Sequence, residues 1–282
     1  MQVNFPSIRQ ILIDALREDI GEGDITTDTL ISSEASFEKA RIIANSEGIL
    51  AGVEIAREIF RLISPQTIFK KWLKDGDIFK QKDILLELEA PARAILKGER
   101  VALNFLQRLS GIATLTRKFV DLVSPYGVKI LDTRKTTPNL RILEKYAVRV
   151  GGGVNHRFNL ASGVLIKDNH VRVVGSIKKA VELAKQNAPH LSRVEVEVNN
   201  LDELNEVINL EVDGIMLDNF DRHHIKKAIQ MIRSKAPKTF IEISGRVTLE
   251  NIENIASLRP DFISIGKITH SAPSLDMSLE IL

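Results

Sequence analysis

Six short apolar runs recur along the second half of the chain, and each ends at a polar residue or a glycine. Successive run ends lie 19 to 35 residues apart, at Asp132, Lys167, Asn199, Asp218, Ser244 and Gly266. This spacing is the length of one strand-helix unit. The intervening segments have the apolar periodicity of helices, at 176–186, 201–208, 224–232 and 249–258. The pattern predicts a parallel sheet whose faces are covered by helices.

A parallel sheet of this size either curves into a barrel or remains an open, doubly wound sheet. The first run is not followed by the G-x-G-x-x-G sequence of a dinucleotide-binding sheet, which favours the barrel. In an α/β barrel, the functional side chains lie at the carboxyl ends of the strands. The residues that end the runs are therefore the first candidates for a functional site.

The first third of the chain has a different organisation. Apolar residues from Ile8 to Leu16 recur at helical spacing, which predicts an amphipathic helix with Ser7 as its N-cap. Residues 36–90 mix short alternating runs with a helix near 53–63, as in a small α+β domain. A long helical pattern at 91–123, which we expect Gly111 to interrupt, connects the two parts.

Composition restricts the classes of protein that remain. With 44% hydrophobic and 27% charged residues among 282, the chain has enough apolar side chains for an ordinary core. The absence of cysteine excludes disulfides, thiolate nucleophiles and cysteine-ligated metals. The sequence contains neither an 18-residue apolar stretch nor a basic segment followed by an apolar one at its start. We therefore expect a cytoplasmic protein without a membrane partner.

Positive charge is concentrated in one stretch of the chain. The net charge is only +2, which gives no reason to expect nucleic-acid binding. Residues 132–172 nevertheless contain eight Lys or Arg and only three acids. A solvated surface would explain scattered charges, but Arg134, Lys135 and Lys167 follow predicted strands. Several cations at one end of a sheet favour a polyanionic substrate, because arginine matches carboxylate and phosphate geometry.

Two acids lie at or near the ends of neighbouring runs, and glycine-bearing loops follow the last two runs. Glu197 and Asp218 suit Mg²⁺, which takes one or two carboxylates and completes its shell with water and substrate phosphates. Capping of a helix, or pairing with a nearby lysine, is the alternative for each acid. The loops at 244–246 and 266–268 lie where barrels often bind phosphate through backbone N–H groups.

Distinctive sequence blocks recur across nearly the whole chain. They are E-D-I-G-E-G-D-I-T-T (18–27), G-E-R-V-A-L-N (98–104), S-G-I-A-T (110–114), L-D-T-R-K-T-T-P (131–138), G-G-G-x-N-H-R-x-x-L (151–160), L-I-K-D-N-H (165–170), V-E-V-E-V (194–198), M-L-D-N-F (216–220) and T-H-S-A-P-x-L-D-x-S-L (269–279). Together these blocks resemble those of the quinolinate phosphoribosyltransferase family. The resemblance implies transfer of a phosphoribosyl group to quinolinate with decarboxylation, giving nicotinate mononucleotide, pyrophosphate and CO₂ for NAD synthesis.

The resemblance also implies the architecture. It implies an α/β fold: an open or incomplete α/β barrel at 113–271 with an N-terminal α/β sandwich domain at 1–112, to which residues 272–282 return. A homodimer or a hexamer of dimers is implied, in which each active site is completed by the neighbouring subunit.

The family's site residues transfer to matching positions of this chain. The quinolinate site resembles Arg134, His156, Arg157 and Lys167, with Arg100 supplied by the partner chain. The site for phosphoribosyl pyrophosphate and Mg²⁺ resembles Lys135, Glu197 and Asp218, and the 5-phosphate is cradled by Ser244, Gly245, Arg246, Gly266, Lys267 and Ile268. Lys135, Lys167, Glu197 and Asp218 are the implied catalytic residues.

Two positions depart from the family pattern. The family usually has S-G-G or S-G-N where this chain has Ser244-Gly245-Arg246, and an acid common after Leu160 is replaced by Ala161-Ser162-Gly163. Arg246 either adds a phosphate contact or restricts a turn that glycine would allow.

Two other functions remain open. One is a related transferase acting on a different base, although the cations of the T-R-K, N-H-R and L-I-K-D-N-H blocks suit a dicarboxylate better than a neutral base. The other is a barrel that only binds a phosphorylated ligand. Loss of Glu197 or Asp218 would have favoured this alternative, but both acids are present.

Overall fold

The computed structural model describes residues 5–32 and 36–282, without the side chains of residues 5–7. The chain divides into two compact units. The first comprises residues up to 117 together with 136–152 and 267–282, and the second comprises 118–135 and 153–266.

Helices and strands are mixed in the described part of the first 123 residues. They are α1 (Phe5–Ile20), α2 (Ile25–Leu30), β1 (Phe37–Ala44), β2 (Gly48–Ile49), α3 (Val53–Ile63), β3 (Ile68–Trp72), β4 (Ile78–Phe79), β5 (Ile84–Pro91) and α4 (Ala92–Val123). The prediction of Ser7 as an N-cap is wrong, because α1 already begins at Phe5. Pro6 is compatible with this start, since the first turn of a helix does not require its N–H.

An antiparallel sheet in the order β12-β1-β5-β3 forms the first unit's main layer, where β12 is Met277–Ile281. The last strand pairs with β1 from Ala44 with Met277 to Ala40 with Ile281. Alternate residues of β1 are buried, including Ile42 and Ala44, so one face of this sheet packs on the core. Strands β2 and β4 form a separate two-stranded ladder.

Helix α4 is continuous over 32 residues, so the expected interruption at Gly111 is wrong. A Cβ atom at this position would lie 2.0 Å from the carbonyl oxygen of Pro273. Gly111 therefore permits the close approach of the segment that contains Pro273. The helix continues through the glycine without a break.

The elements after α4 follow the predicted alternation. They are a 3₁₀ turn (Ser124–Tyr126), β6 (Lys129–Leu131), α5 (Arg141–Val150), β7 (Val164–Ile166), α6 (Asp168–Val174), α7 (Ile177–Asn187), β8 (Val194–Val198), α8 (Leu201–Val207), β9 (Gly214–Asp218), α9 (Arg222–Lys235), β10 (Phe240–Ser244), α10 (Ile252–Ala256), β11 (Phe262–Ser264), α11 (Lys267–His270) and β12. All six predicted strands are present. The helix expected at 249–258 is the short α10, which is preceded by a turn.

Six parallel strands form the sheet of the second unit in the order β6-β11-β10-β9-β8-β7. Strands β6 and β7 are its two edges, so the sheet is the predicted incomplete α/β barrel. All five residues of β8 are buried, as expected for a parallel strand covered on both faces.

The register of these strands aligns polar side chains on one face. Glu197 pairs with Met216, Met216 with Glu242, and Asp218 with Ser244. Paired residues of neighbouring strands point to the same face, as do residues two apart on one strand. Glu195, Glu197, Asp218 and Glu242 therefore share a face. Leu165 pairs with Glu195, which places Lys167 on that face as well.

Candidate active site

A cavity of about 310 Å³ lies at the carboxyl ends of the parallel strands. Its lining includes eight of the site residues predicted from the sequence: Arg134, Lys135, His156, Arg157, Lys167, Glu197, Asp218 and Ser244. Four cations, a histidine and two carboxylates therefore meet in one concave site. This is the location that a barrel gives to its functional groups.

Asp132 organises the loop that carries the N-H-R sequence. Its side chain is completely buried directly after β6. It accepts a hydrogen bond at 2.8 Å from the backbone N–H of His156 and another at 2.6 Å from the side-chain amide of Asn155. The backbone N–H of Val154 donates to the carbonyl of Ile130 at 2.8 Å, which extends the sheet pattern into this loop. Asp132 thus fixes the segment that positions His156 and Arg157.

The cationic side of the cavity is crowded. Burial and the neighbouring charge of Arg134 lower the pKa of the Arg157 guanidinium, while Glu195 acts in the opposite direction. Arg157 also donates to the carbonyl oxygen of Gly163 at 3.3 Å. Adjacent guanidinium groups repel each other, so this arrangement is suited to an anion that contacts several cations at once.

Lys167 forms an ion pair with Glu197 on the neighbouring strand. Glu197 is buried, whereas the Lys167 side chain is 41% exposed and faces the cavity. The backbone N–H of Lys167 donates to the Nδ1 atom of His170 at 2.9 Å. The histidine of the D-N-H sequence thus holds the backbone of Lys167. Glu197 does pair with a nearby lysine, which was the alternative to a metal-binding role for this acid.

Two buried glutamates beside His156 were not assigned from the sequence. The Nε2 atom of His156 lies 3.4 Å from a carboxylate oxygen of Glu195 and 3.5 Å from one of Glu242. Burial, followed by the adjacent Glu195, raises the pKa of Glu242 well above its ordinary value. The sequence did contain a signal for these acids, because V-E-V-E-V places two glutamates at alternate positions of a buried strand and F-I-E-I places one between apolar residues.

The loops after β9 and β10 contact each other through their backbones. The N–H of Asn219 donates to the carbonyl oxygen of Ser244 at 2.9 Å, and its side-chain amide donates to Asp218 at 2.6 Å. A Cβ atom at Gly245 would lie 2.3 Å from the Asn219 side-chain oxygen. Glycine is therefore required at position 245 both by this approach and by its φ of +89°.

Arg246 has a φ of +52°, in the left-handed region that glycine favours. Its side chain is exposed, and its carbonyl oxygen accepts a hydrogen bond from Asn251 at 2.9 Å. The chain thus makes the turn expected for S-G-G or S-G-N with an arginine in place of the smaller residue.

The remaining predicted residues lie outside the lining of this cavity. Gly266 follows β11, and Lys267 begins α11, in which the side chain of Ile268 is fully buried. Arg100 lies on α4 with its side chain 58% exposed, 3.9 Å from the carboxylate of Glu99. Among the residues that the structure describes, the lining of the 310 Å³ cavity does not include Arg100, Gly245, Arg246, Gly266, Lys267 or Ile268.

The two carboxylates at the strand ends suit a magnesium ion. Glu197 and Asp218 lie on adjacent strands, share a face and line the cavity. Their oxygens are hard donors, and one oxygen of each already has a partner, Lys167 for Glu197 and Asn219 for Asp218. A site with few protein oxygens fits Mg²⁺, which retains water and substrate phosphate ligands.

Family models match most of the chain. The N-terminal domain of quinolinate phosphoribosyl transferase matches residues 24–110, and the C-terminal domain matches residues 112–280. The chain belongs to the quinolinate phosphoribosyl transferase family.

Full-length relatives support the membership of this family. A probable carboxylating nicotinate-nucleotide pyrophosphorylase of Bacillus subtilis is 43% identical, over 99% of this chain and 95% of that protein. The carboxylating nicotinate-nucleotide pyrophosphorylase of Mycobacterium leprae is 39% identical, over 98% of each chain.

Solved structures of the family have the same fold. NadC from Streptococcus pyogenes is 42% identical and superposes with a TM-score of 0.94, over 100% of this chain and 99% of that one. Nicotinate-nucleotide pyrophosphorylase from Francisella tularensis gives a TM-score of 0.93 at 40% identity, over 100% of this chain and 98% of that one.

In the described ranges, no helix has both the length and the apolar character that a membrane span requires.

Proposed function

We propose that this enzyme transfers the phosphoribosyl group of phosphoribosyl pyrophosphate to quinolinate and removes one carboxylate, which gives nicotinate mononucleotide, pyrophosphate and CO₂. The product is a precursor in NAD biosynthesis. The observation that carries the proposal is the meeting of Arg134, Lys135, Arg157 and Lys167 with two strand-end carboxylates in one cavity. Membership of the family, with carboxylating pyrophosphorylases among its relatives, supports the same reaction.

Quinolinate is assigned to the cationic side of the cavity. Its two carboxylates match the bidentate geometry of arginine, and Arg134, Arg157 and Lys167 supply three positive charges. His156 lies beside them in the same lining. The three cations bind the two carboxylates and orient the ring nitrogen toward the second substrate, and the His156 ring completes this side of the quinolinate subsite.

Phosphoribosyl pyrophosphate is assigned to the side of the cavity formed by β8, β9 and β10. Glu197 and Asp218 are the residues that would hold Mg²⁺, which when bound neutralises charge on the pyrophosphate. Lys135 lies in the same cavity and is placed to neutralise the leaving group further. The loops at 244–246 and 266–268 are proposed to receive the 5-phosphate, with Ile268 acting through its backbone because its side chain is buried.

The reaction needs positioning and charge stabilisation rather than a protein nucleophile. The pyridine nitrogen forms a bond to C1 of the ribose as the bond from C1 to the pyrophosphate oxygen breaks, with the electron pair leaving on pyrophosphate. The cationic pyridinium then accepts the electrons of the bond to the 2-carboxylate, so CO₂ leaves and C2 takes up a proton. The side chains hold both substrates in line and stabilise the developing charges.

We further propose a cytoplasmic homodimer, or a hexamer of dimers, in which Arg100 enters the quinolinate site of the neighbouring subunit. The exposure of the Arg100 side chain is compatible with this role, because its contact with Glu99 at 3.9 Å is a weak surface pair.

Product stoichiometry tests the proposed reaction. The purified protein, incubated with quinolinate, phosphoribosyl pyrophosphate and Mg²⁺, is expected to release CO₂ and pyrophosphate in equal amounts. A transferase for a base without the second carboxylate would release only pyrophosphate, and a protein that merely binds the ligands would release neither. Either of these results would contradict the proposal.

A further inference from the structure

Both ring nitrogens of His156 face groups of the protein itself. The Nδ1 atom accepts a hydrogen bond at 2.7 Å from the backbone N–H of Arg157. The Nε2 atom faces the carboxylates of Glu195 and Glu242 at 3.4 and 3.5 Å. The ring therefore connects the backbone of Arg157 to two buried acids.

The bond at Nδ1 determines the form of the ring. A nitrogen that accepts a hydrogen bond carries no proton, so the uncharged imidazole has its proton on Nε2. That nitrogen lies 3.4 and 3.5 Å from side-chain oxygens of the two acids, which can accept a hydrogen bond from it. The same reasoning argues against a metal ion at this cluster, although its three ligand atoms lie within 4.8 Å of one another, because a protonated Nε2 has no lone pair for a metal.

The position of the ring explains why it needs to be held. A second cavity of about 410 Å³ adjoins the site, and His156, Arg157, Leu165 and Glu242 line both cavities. The ring borders both cavities, although the His156 side chain is only 13% exposed. The hydrogen bond to the Arg157 backbone and the two neighbouring acids therefore add to packing in determining its orientation.

The two acids are placed by the strands rather than by the loop. Glu195 lies on β8 and Glu242 on β10, on the same face and separated by β9. Glu195 is 7% exposed and Glu242 is 1% exposed, and one oxygen of each has no hydrogen-bond partner among the described residues. Burial of two acids without full pairing is costly, which indicates a role in the site rather than in stability.

We propose that Glu195 and Glu242 are positioning residues that hold the His156 ring with its Nε2–H directed inward, so that Nδ1 fixes the backbone of Arg157 in the quinolinate subsite. This inference rests on the proposed function, because it assigns Arg157 to quinolinate. The acids act through the His156 ring: Glu242 also lines the substrate cavity, whereas the lining of that cavity does not include Glu195.

Matched substitutions of both acids test the inference. The Glu195→Gln/Glu242→Gln variant keeps oxygen acceptors, whereas Glu195→Leu/Glu242→Leu removes them at similar volume, a change that buried ionic groups often tolerate without loss of stability. We expect the leucine variant to raise the KM for quinolinate at least tenfold and to leave the KM for phosphoribosyl pyrophosphate within about twofold. The glutamine variant is expected to stay within about threefold of wild type for both substrates.

The control is Ile243→Val, which changes packing on β10 beside Glu242 but on the opposite face of the sheet. It is expected to leave both KM values unchanged. A leucine variant with a normal KM for quinolinate, or with both KM values raised equally, would overturn the inference. A failure of the proposed function is recognised separately, because wild-type protein would then release no CO₂.

Spectroscopy tests the ring directly and does not depend on folding of the leucine variant. Long-range ¹H–¹⁵N spectra of wild-type protein, assigned with a His156→Asn variant, distinguish the two uncharged forms of the ring. A proton on Nε2 is expected. A proton on Nδ1, or on both nitrogens, would overturn the inference, because neither form can accept from the Arg157 N–H.

Discussion

The ammonium group of Lys167 is paired with the buried carboxylate of Glu197. The two residues lie at the same level of β7 and β8, since Ile166 is in register with Val196. In the proposed site, Lys167 belongs to quinolinate and Glu197 to the magnesium-bound pyrophosphate. The ion pair therefore links the two subsites. A ligand that binds one of these residues and breaks the pair leaves the other without its charged partner.

Removal of a single cation tests the quinolinate subsite. Lys167→Ala and Arg157→Ala are each expected to lower quinolinate affinity roughly ten- to a hundredfold, because a hydrogen bond to a charged group is typically worth about 1.5 to 3 kcal/mol. Steady-state kinetics and isothermal titration calorimetry measure the loss. Lys178→Ala, at an exposed lysine of α7, is the control and is expected to behave as wild type. Normal kinetics in either site variant would remove that residue from the subsite.

The metal assignment predicts different consequences for the two carboxylates. Glu197→Gln and Asp218→Asn should each sharply weaken the Mg²⁺-dependent use of phosphoribosyl pyrophosphate, because each removes a charged oxygen donor. Asp218→Asn should leave quinolinate binding unchanged. Glu197→Gln also releases Lys167 from its ion pair, so quinolinate affinity should stay the same or rise. Calorimetry with quinolinate alone decides this, and a fall in affinity in either variant would show that the division of the cavity is wrong.

The arginine of the proposed phosphate loop, Arg246, is expected to act through its backbone. Because Arg246 already has a φ of +52°, Arg246→Gly should preserve the turn and keep the KM for phosphoribosyl pyrophosphate within about threefold. A β-branched residue is more strained than arginine at this φ, so Arg246→Val should lower the free energy of unfolding measured in urea titrations. A KM that rises tenfold or more in the glycine variant would instead assign a phosphate contact to the guanidinium group.

The strands and their terminal residues could be predicted from the sequence, because a buried parallel strand is a short apolar run that ends abruptly. Lys167, Glu197 and Asp218 follow directly from that pattern. The expectation that Gly111 interrupts α4 was wrong. Local sequence could not show that the Pro273 carbonyl lies against this glycine, which explains the glycine without a break in the helix. Glu195 and Glu242 were missed for a related reason: only the register of three strands shows that they converge on His156.

The proposed sharing of the active site can be tested by complementation. If Arg100 serves the neighbour's quinolinate, Arg100→Ala and Lys167→Ala, assayed well below the raised quinolinate KM of each variant, should each be nearly inactive alone but active when mixed. A mixed dimer has one site with both defects and one site with neither, so random exchange of equal amounts gives about half mixed dimers and about a quarter of wild-type activity. Purified variants, mixed after reversible dissociation, are assayed for CO₂ release, with each variant treated alone as the control. An Arg100 that only pairs with Glu99 on its own helix predicts no recovery, and persistent inactivity in confirmed mixed dimers would exclude the sharing of Arg100 across the interface.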